Sequence, residues 1–457
     1  MSPASANFDK TLRPSPLMLT SQAFQGITIM ASKPDIWLAA GLRTPFAKVD
    51  GPLKTYDAIA LSVPVVQAML AQLAQTGGAR PDFAIWGTVI PNLTWSNIAR
   101  EVLLDAGADP TIPAFSTIMA CSTSMIGVIE AHGMIDGRGR DLALVGGVES
   151  MSKVQVGMSI AFSDWLKGFQ GAKTAGQKLA HLARLKPADL KLWIPKVANR
   201  TTGLSMGEHT EITAKEWKLA RVDQDQIAFE SHQHAVAAWE AGFFDDLVIP
   251  IGDVKRDTIP RKDSTLEKLA KLGPAFDKTS GQGTLTAGNS SPLTDGAAAI
   301  WVASKAGLAR LPAKTPRVKV VDYEVTSIDL RHEGLLMAPA YGVPRLLARN
   351  GLKYADVGLW EIHEAFAAQV LSHIAAWEDE RFRRTKAGVE VDLGPFPRER
   401  MNPTGGSLAV GHPFGATGAR ILSQAVKELA TRGKGEKAIV SICADGGQGT
   451  MMLLECA

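Results

Sequence analysis

Two stretches of this 457-residue chain run loop, helix, strand and Gly-Gly in the same order. In the first, Ser116-Thr117-Ile118-Met119-Ala120-Cys121 opens a small-residue helical stretch, followed by Arg140-Asp141-Leu142-Ala143-Leu144-Val145-Gly146-Gly147. In the second, Gly411-His412-Pro413-Phe414-Gly415-Ala416-Thr417-Gly418 opens a helical stretch, followed by Lys437-Ala438-Ile439-Val440-Ser441-Ile442-Cys443 and then Gly446-Gly447. A repeat of this kind suggests one unit used twice, with the reactive loops of both copies facing one cleft. Because α/β units generally look alike, the pattern leaves duplication and coincidence both open.

The rest of the chain keeps the same rhythm. Short apolar strand candidates at 36–40, 83–86, 142–145, 299–302, 318–321, 359–362 and 438–442 alternate with helical patterns at 57–74, 97–106, 124–136, 224–241, 344–350, 365–378 and 418–432. That alternation predicts an α/β fold. The length predicts two to three domains with ample core. A chain 46% hydrophobic and 21% charged is ordinary globular material, and a net charge of +3 argues against nucleic acid as a partner. Three cysteines without a CxxC exclude a disulfide framework and give no zinc-site spacing, so no metal and a reducing, cytoplasmic setting are expected. No apolar run reaches the roughly 18 residues that span a bilayer.

Two regions depart from the rhythm. Residues 1–25 are rich in Ser, Pro and Thr with only Asp9, Lys10 and Arg13 charged, and read as a disordered tail rather than a secretory signal. Met30 is a candidate start, since the strand-like Asp35-Ile36-Trp37-Leu38-Ala39-Ala40 follows at once. The other region is 153–284. Within it, residues 164–200 carry six Lys and two Arg against two Asp, with Trp165, Phe169 and Trp193 interleaved. Such a run fits either a solvated helix face or a surface that grips phosphates or an anionic membrane.

The chemistry concentrates in a few residues. Cys121, at a strand-to-helix junction, is the nucleophile candidate, its thiol pKa lowered by unpaired N–H groups and the positive helix end. His412 sits among Gly405, Gly406, Gly411, Gly415 and Gly418, which free the backbone for close approach; it is a base and a donor to an oxyanion. Cys443 ends a β-branched strand before Gly446, Gly447 and Gly449, where a thiol of near-neutral pKa serves as acid or base. His363-Glu364-Ala365-Phe366 follows an apolar strand at a helix start, so that Glu364 suits the positive helix end. Small residues fill 283–296, where an extended ligand arm can lie against backbone. Neither GxGxxG nor a P-loop is present, so nucleotide-dependent redox or phosphoryl transfer is unsupported.

Taken together these motifs resemble the thiolase family, from Gly41-Leu42-Arg43-Thr44-Pro45-Phe46 to the C-terminus. The markers are the Cys121 junction, Gly146-Gly147-Val148-Glu149-Ser150-Met151-Ser152, Thr286 to Ser291 with Asp295-Gly296, the His363 box, the His412 loop and Cys443. The resemblance implies an α/β thiolase fold of two similar βαβαβαββ halves in five layers. It divides the chain into an extension (1–33), an N-terminal half (34–152 and 285–312), an inserted loop domain (153–284) and a C-terminal half (313–457). Many thiolases carry Asn where His363 stands; a histidine there, with an enlarged loop domain, is similar to the β subunits of trifunctional fatty-acid-oxidation complexes.

By that resemblance Cys121 attacks the C3 carbonyl of a 3-ketoacyl-CoA with His412 as base, and Cys443 protonates the acetyl-CoA enolate. His363 and His412 form one oxyanion pocket; the backbone N–H groups of Cys121 and Asp445 form the other. Pantetheine lies along Ala287 and Ser291, with Met206, Met337 and Phe366 lining its pocket. CoA is a substrate and no cofactor is needed. A homodimer, an α subunit with hydratase and dehydrogenase activities, and peripheral membrane contact are the implied partners. Two residues depart from the family pattern: Asp445 stands where relatives have Gly or Ala, and Ser205 where some short-chain thiolases place a histidine. A biosynthetic acetyl-CoA acetyltransferase uses the same residues in reverse. A ketoacyl synthase generally lacks the second cysteine, and a catalytically idle assembly subunit predicts decay of the set.

Overall fold

The computed structural model describes residues 34–457 except 78, 79, 194 and 196, so the expected extension and the alternative start at Met30 lie outside it. Strands β1 (Trp37–Ala39), β2 (Ala47–Lys48), β3 (Phe83–Gly87), β4 (Ala114–Phe115) and β5 (Leu142–Glu149) come first. A short hairpin, β6 (Gly157–Met158) with β7 (Leu192–Trp193), belongs to the insertion. Then follow β8 (Thr294–Ala303), β9 (Arg317–Ser327), β10 (Leu359–Ile362), β11 (Lys437–Ala444) and β12 (Gln448–Glu455).

The two arms of the sheet repeat one pairing scheme. In the first, β1 and β8 are antiparallel, β8 and β5 antiparallel, β5 and β3 parallel, and β3 and β4 parallel. In the second, β9 and β12 are antiparallel, β12 and β11 antiparallel, and β11 and β10 parallel, with Met401 bridging Trp360 in parallel where β4 would stand. Between the arms β1 also pairs with β9, which makes one continuous path of nine strands, and β2 pairs beside β8 as a tenth. The duplication left open by the sequence is therefore present in the topology.

Both faces of each arm are covered, which is why its strands read as continuous apolar runs. Alternate residues serve different cores, as the period of two requires. Ala143 and Val145 of β5 and Ile300 and Val302 of β8 face a central core; Leu142, Leu144, Trp301 and Ala303 face an outer one. In the second arm Val440, Ile442, Met452 and Leu454 face the same central core, while Ile439, Met451 and Leu453 face another outer layer. The central core holds two helices, Thr123–Met134 and Thr417–Ala430, packed against each other. Outside the arms lie Ala58–Ala74 with Ile98–Asp105 on one side, and Ala338–Arg349 with Ala367–Glu378 on the other. Helix, sheet, helix, sheet, helix makes five layers.

This arrangement brings the reactive loops together. Cys121 lies in the 3-10 turn Ala120–Ser122 directly before the first central helix. His412 lies just before the turn Phe414–Ala416 and the second central helix. Because the helices pair, with Ala419 N–H donating to Ser124 Oγ at 2.8 Å, equivalent loops 291 positions apart meet at one end of the layer.

Three local readings change. Gly146 and Gly147 do not end β5 but sit inside it: a Cβ on Gly147 would stand 2.1 Å from the Gly415 carbonyl oxygen, so the glycine admits the His412 loop against the strand. Phe366 caps the helix Ala367–Glu378, so the His363 box precedes the helix. In the basic segment, the helices Ile160–Gly171 and Ala175–Leu182 have no fully buried residue. Trp165 stacks on Phe169 at 5.4 Å and gives its indole N–H to the His181 carbonyl at 2.9 Å, so these aromatics join the two helices. Trp193, on the hairpin, is exposed.

Candidate active site

Cys121 is half-buried and its sulfur lies 3.1 Å from His412 Nε2. Ala120, just before it, has φ +45°, a left-handed backbone that costs a non-glycine residue about 1 kcal/mol or more and turns the thiol out of the chain path. Gly411, at φ +105°, performs the corresponding turn before His412, which no side-chain-bearing residue adopts readily.

Hydrogen bonding fixes the state of each imidazole. Thr417 Oγ1 donates its single proton to the Pro413 carbonyl at 2.9 Å, so it accepts from His412 Nδ1 at 2.6 Å. His412 thus carries its proton on Nδ1 and turns the Nε2 lone pair to the Cys121 thiol. Burial, then the Arg420 charge, holds its pKa down to about 3. His363 is the complement. Ser407 Oγ accepts from Arg420 Nη2 at 2.6 Å and keeps its own proton for His363 Nδ1 at 2.8 Å, an arrangement that favours the Nε2–H tautomer. The ring proton is left on Nε2, which is buried and has no partner among the described residues. Burial first, then the His412 and Arg420 charges, keep His363 well below its ordinary pKa, hence neutral. The two rings stand 4.2 Å apart. One imidazole presents an acceptor and its neighbour a donor.

The thiols behave differently from the sequence expectation. Burial, followed by the Asp445 carboxylate, pushes Cys121 up to about 12, while the backbone N–H groups of Asp445 and Cys121 pull it down. Helix-end stabilisation loses to desolvation here, so the resting pair is neutral thiol and neutral imidazole. Cys443 is 1% exposed, and burial plus the Cys121 sulfur raise it well above its ordinary value rather than near neutrality. It therefore keeps its proton at rest. Ser122 Oγ reaches the Ile442 carbonyl at 3.5 Å, which ties the two cysteine segments together.

Asp445 is oriented by its neighbours. Its Oδ1 accepts from Asn199 Nδ2 at 2.8 Å and from Gly446 N–H at 2.7 Å, so the carboxylate clasps the insertion while its backbone N–H faces the Cys121 sulfur. Ser205 caps the helix Met206–Glu216 in a capping box with Glu208.

A cavity of about 320 Å³ opens onto Cys121 and His412. Met206, Ser291, Leu336, Ala365 and Phe366 are on its wall, as are Val89, Ile90, Pro91, Leu293 and Phe414; Val197 and Ala198 of the insertion also border it. Of the expected pantetheine residues, Met206, Ser291 and Phe366 are on this wall. Ala287 and Met337 are not. Ala287 is exposed, and Met337 is 1% exposed, packed with Tyr341 and Phe382 in a separate apolar cluster. The reason is local: Ser291 N–H bonds to the Ala365 carbonyl and Ala367 N–H to the Asn289 carbonyl, which turns Ser291 inward and leaves the preceding loop outside.

Several positioning residues escaped the sequence reading. Glu149 is 1% exposed and accepts from Thr88 Oγ1, Val89 N, Ile90 N and Gly415 N, binding one cavity wall to the His412 loop. Glu364 accepts from Ser231 Oγ, Asn402 Nδ2 and the backbone N–H of Leu408 rather than serving the helix that follows it. Asn402, at φ +46°, pairs by its amide with both backbone groups of Ile362, fastening the His412 loop to β10. Glu149 stood in a motif without a role; Ser407 and Arg420 carried no local signal at all.

Acyl transfer through a cysteine, with a base, a donor and a second proton source at hand, is the chemistry such a frame serves. The sequence profile "Thiolase, N-terminal domain" matches residues 36–306 and "Thiolase, C-terminal domain" matches residues 314–456. A 3-ketoacyl-CoA thiolase of Yersinia enterocolitica is 38% identical over 429 residues, covering 92% of this chain and 96% of that protein. One from Shewanella halifaxensis is 37% identical over 426 residues with the same coverage. The Acat5 thiolase of Ascaris suum, solved in complex with coenzyme A, superposes with TM-score 0.73 at 27% identity, covering 92% of this chain and 99% of that one. The Bacillus anthracis acetyl-CoA acetyltransferase gives 0.72 at 28% identity, covering 93% and 99%. The chain belongs to the thiolase family.

Proposed function

We propose that this protein is a 3-ketoacyl-CoA thiolase, cleaving 3-ketoacyl-CoA with CoA to acetyl-CoA and a shortened acyl-CoA in fatty-acid β-oxidation. The observation that carries the reading is the 3.1 Å contact between His412 Nε2 and Cys121 Sγ at the floor of an apolar cavity. The thiol proton passes to Nε2 as sulfur attacks C3. The C2–C3 bond breaks, and the electron pair moves onto the thioester oxygen of the acetyl-CoA enolate. His363 Nε2–H and the newly protonated His412 donate to that oxygen, and Cys443 gives its proton to C2. Acetyl-CoA leaves. Incoming CoA passes its thiol proton to the Cys443 thiolate and attacks the acyl-Cys121 carbonyl. The tetrahedral intermediate returns the Cys121 sulfur, which recovers its proton from His412.

The backbone N–H groups of Cys121 and Asp445 are suited to the tetrahedral oxyanions, since both already act on the Cys121 sulfur. Removal of one donor of this kind typically costs about 3 kcal/mol of barrier. Val89, Ile90, Pro91, Leu293 and Phe414 give the cavity an apolar side that supports a longer acyl chain. Thiolysis measured against chain length tests this: activity rising beyond four carbons is expected, and activity confined to acetoacetyl-CoA rejects it.

A homodimer working with a hydratase/dehydrogenase α subunit is the assembly we propose, in the cytoplasm. No helix among the described residues is long and apolar enough to cross a membrane. Exposed Ile160, Leu179, Leu192 and Trp193 on the insertion support a covering partner. Light scattering with and without the α subunit is the test; binding to anionic vesicles instead would move that face to a membrane role.

A further inference from the structure

Cys121, His363 and His412 place their sulfur and ring-nitrogen atoms within 4.8 Å of one another. A tetrahedral zinc ion held by one thiolate and two imidazoles has donor atoms about 3.3–3.6 Å apart. The Cys121–His412 edge is already 3.1 Å, and the remaining edges, at most 4.8 Å, need to close by up to about 1.5 Å. A thiol and one imidazole would not by themselves make a site. The second observation is His363 Nε2, fully buried and without a partner among the described residues; Ser407 engages Nδ1, so Nε2 is the nitrogen left for the cluster. From these we propose that the resting enzyme binds a zinc-like divalent cation through Cys121 Sγ, His363 Nε2 and His412 Nε2, with the fourth position open to the cavity, and that the bound ion shuts off acyl transfer.

The protonation chemistry balances. Cys121 gives up its thiol proton to solvent and ligates as thiolate. His412 already carries its proton on Nδ1, held by Thr417, and offers Nε2 unchanged. His363 moves its proton from Nε2 to Nδ1. Ser407 Oγ then accepts from both Arg420 and His363, its two lone pairs satisfying both donors. The second shell therefore serves either tautomer, and it holds both rings in place as metal-ligating histidines require. About one proton is released per ion. The ligands lie 49 and 291 positions apart (363 to 412, and 121 to 412), so no local spacing announces the site.

The chemistry is that of a borderline-soft ion, zinc or its spectroscopic stand-in cobalt(II); magnesium and calcium, which want oxygen ligands, are not expected. Acylation of Cys121 removes the thiolate, so acetyl-CoA and the ion compete for one state of the enzyme.

Cobalt(II) titration of the chelator-treated full-length protein, followed by absorption, is the test. Expected are a saturating one-to-one change with a sulfur-to-metal charge-transfer band and intense tetrahedral bands, displaced by zinc and prevented by prior incubation with acetyl-CoA. Cys121→Ala should abolish the charge-transfer band, and His363→Asn should weaken binding at least tenfold. Circular dichroism shows whether each variant is folded, and Cys456→Ala, outside the cluster, should bind as the wild type does. Absence of the bands overturns the proposal, as do bands that survive unchanged in Cys121→Ala or His363→Asn. Because the readout is spectroscopic, it stands or falls separately from the assigned thiolysis.

Discussion

Ser407→Ala removes the hydroxyl that favours the His363 tautomer with its proton on Nε2. The hydroxyl is fully buried, takes a bond from Arg420 at 2.6 Å and gives its own proton to His363 Nδ1 at 2.8 Å. A hydrogen bond polarised by a charged partner is worth about 1.5–3 kcal/mol. Without it, the Nδ1–H tautomer becomes accessible, and Nε2 then presents a lone pair where an enolate oxygen needs a donor. The expected fall in kcat is about ten- to hundredfold at 1.4 kcal/mol per decade, below the roughly 10²–10³ for deleting an oxyanion donor outright. Two half-reactions separate this from general damage. Exchange of the C2 protons of acetyl-CoA in D₂O, which needs the enolate, should fall with kcat. Alkylation of Cys121 by iodoacetamide should stay within about threefold of the wild type, since this change leaves Thr417, His412 and Cys121 untouched. In a His363→Ala background, Ser407→Ala should cost little more, because its effect passes through a ring no longer there. Equal losses in the two backgrounds, or a wild-type exchange rate in the single variant, refute the reasoning.

Cys443→Ala should slow C2 proton exchange at least a hundredfold while leaving acetyl transfer onto Cys121 within about tenfold; equal losses in a quench assay would show that the two thiols do not divide the work. Iodoacetamide alkylation of the free enzyme should climb steadily from pH 6 to 9 without a plateau, since burial and Asp445 hold the Cys121 thiol up to about 12. Asp445→Asn should speed that alkylation at fixed pH, and a slower rate counts against the field of the carboxylate. Glu149→Ala leaves the buried Gly415 N–H without an acceptor, at about 1–3 kcal/mol, and the part-buried Val89 and Ile90 N–H groups at less, so a urea midpoint near that of the wild type is excluded. Burial raises Glu149 from 4.5 to about 7, so its protonated form stabilises the fold below pH 4.5 and that advantage is lost as pH rises through 7; the stability gap between wild type and variant should narrow from pH 5 to pH 7.5.

What the sequence showed and what it hid follow from one distinction. β3, β5, β8 and β11 were visible because both their faces are buried, so each contains a continuous apolar run. Only 318–321 of β9 was recognised, since Asp322 and Glu324 break the run on a partly exposed face. The strand β12 was missed despite Met451, Met452, Leu453 and Leu454, because it follows a glycine pair at the chain end. Within the insertion, the helices Ile160–Gly171 and Ala175–Leu182 have no fully buried residue to impose a period. At the site, His412 and Cys443 stood out by their glycine-rich surroundings and Cys121 by its small-residue junction, and the structure brings His363 beside His412. Their protonation did not stand out. The thiol reading failed because desolvation by the opposite half and the charge of Asp445 are properties of the assembled interior. Ser407 and Arg420 bias the His363 tautomer from 44 and 57 positions away, beyond the reach of any local pattern.

The division of labour around the reacting carbon is open to one direct measurement. The enzyme is mixed with acetyl-CoA without acceptor, quenched in acid, digested and read by mass spectrometry. The acetyl group should be found on the peptide carrying Cys121 and on neither Cys443 nor Cys456. An acetyl group on Cys443, or a competent enzyme that never acquires one on Cys121, would contradict the account.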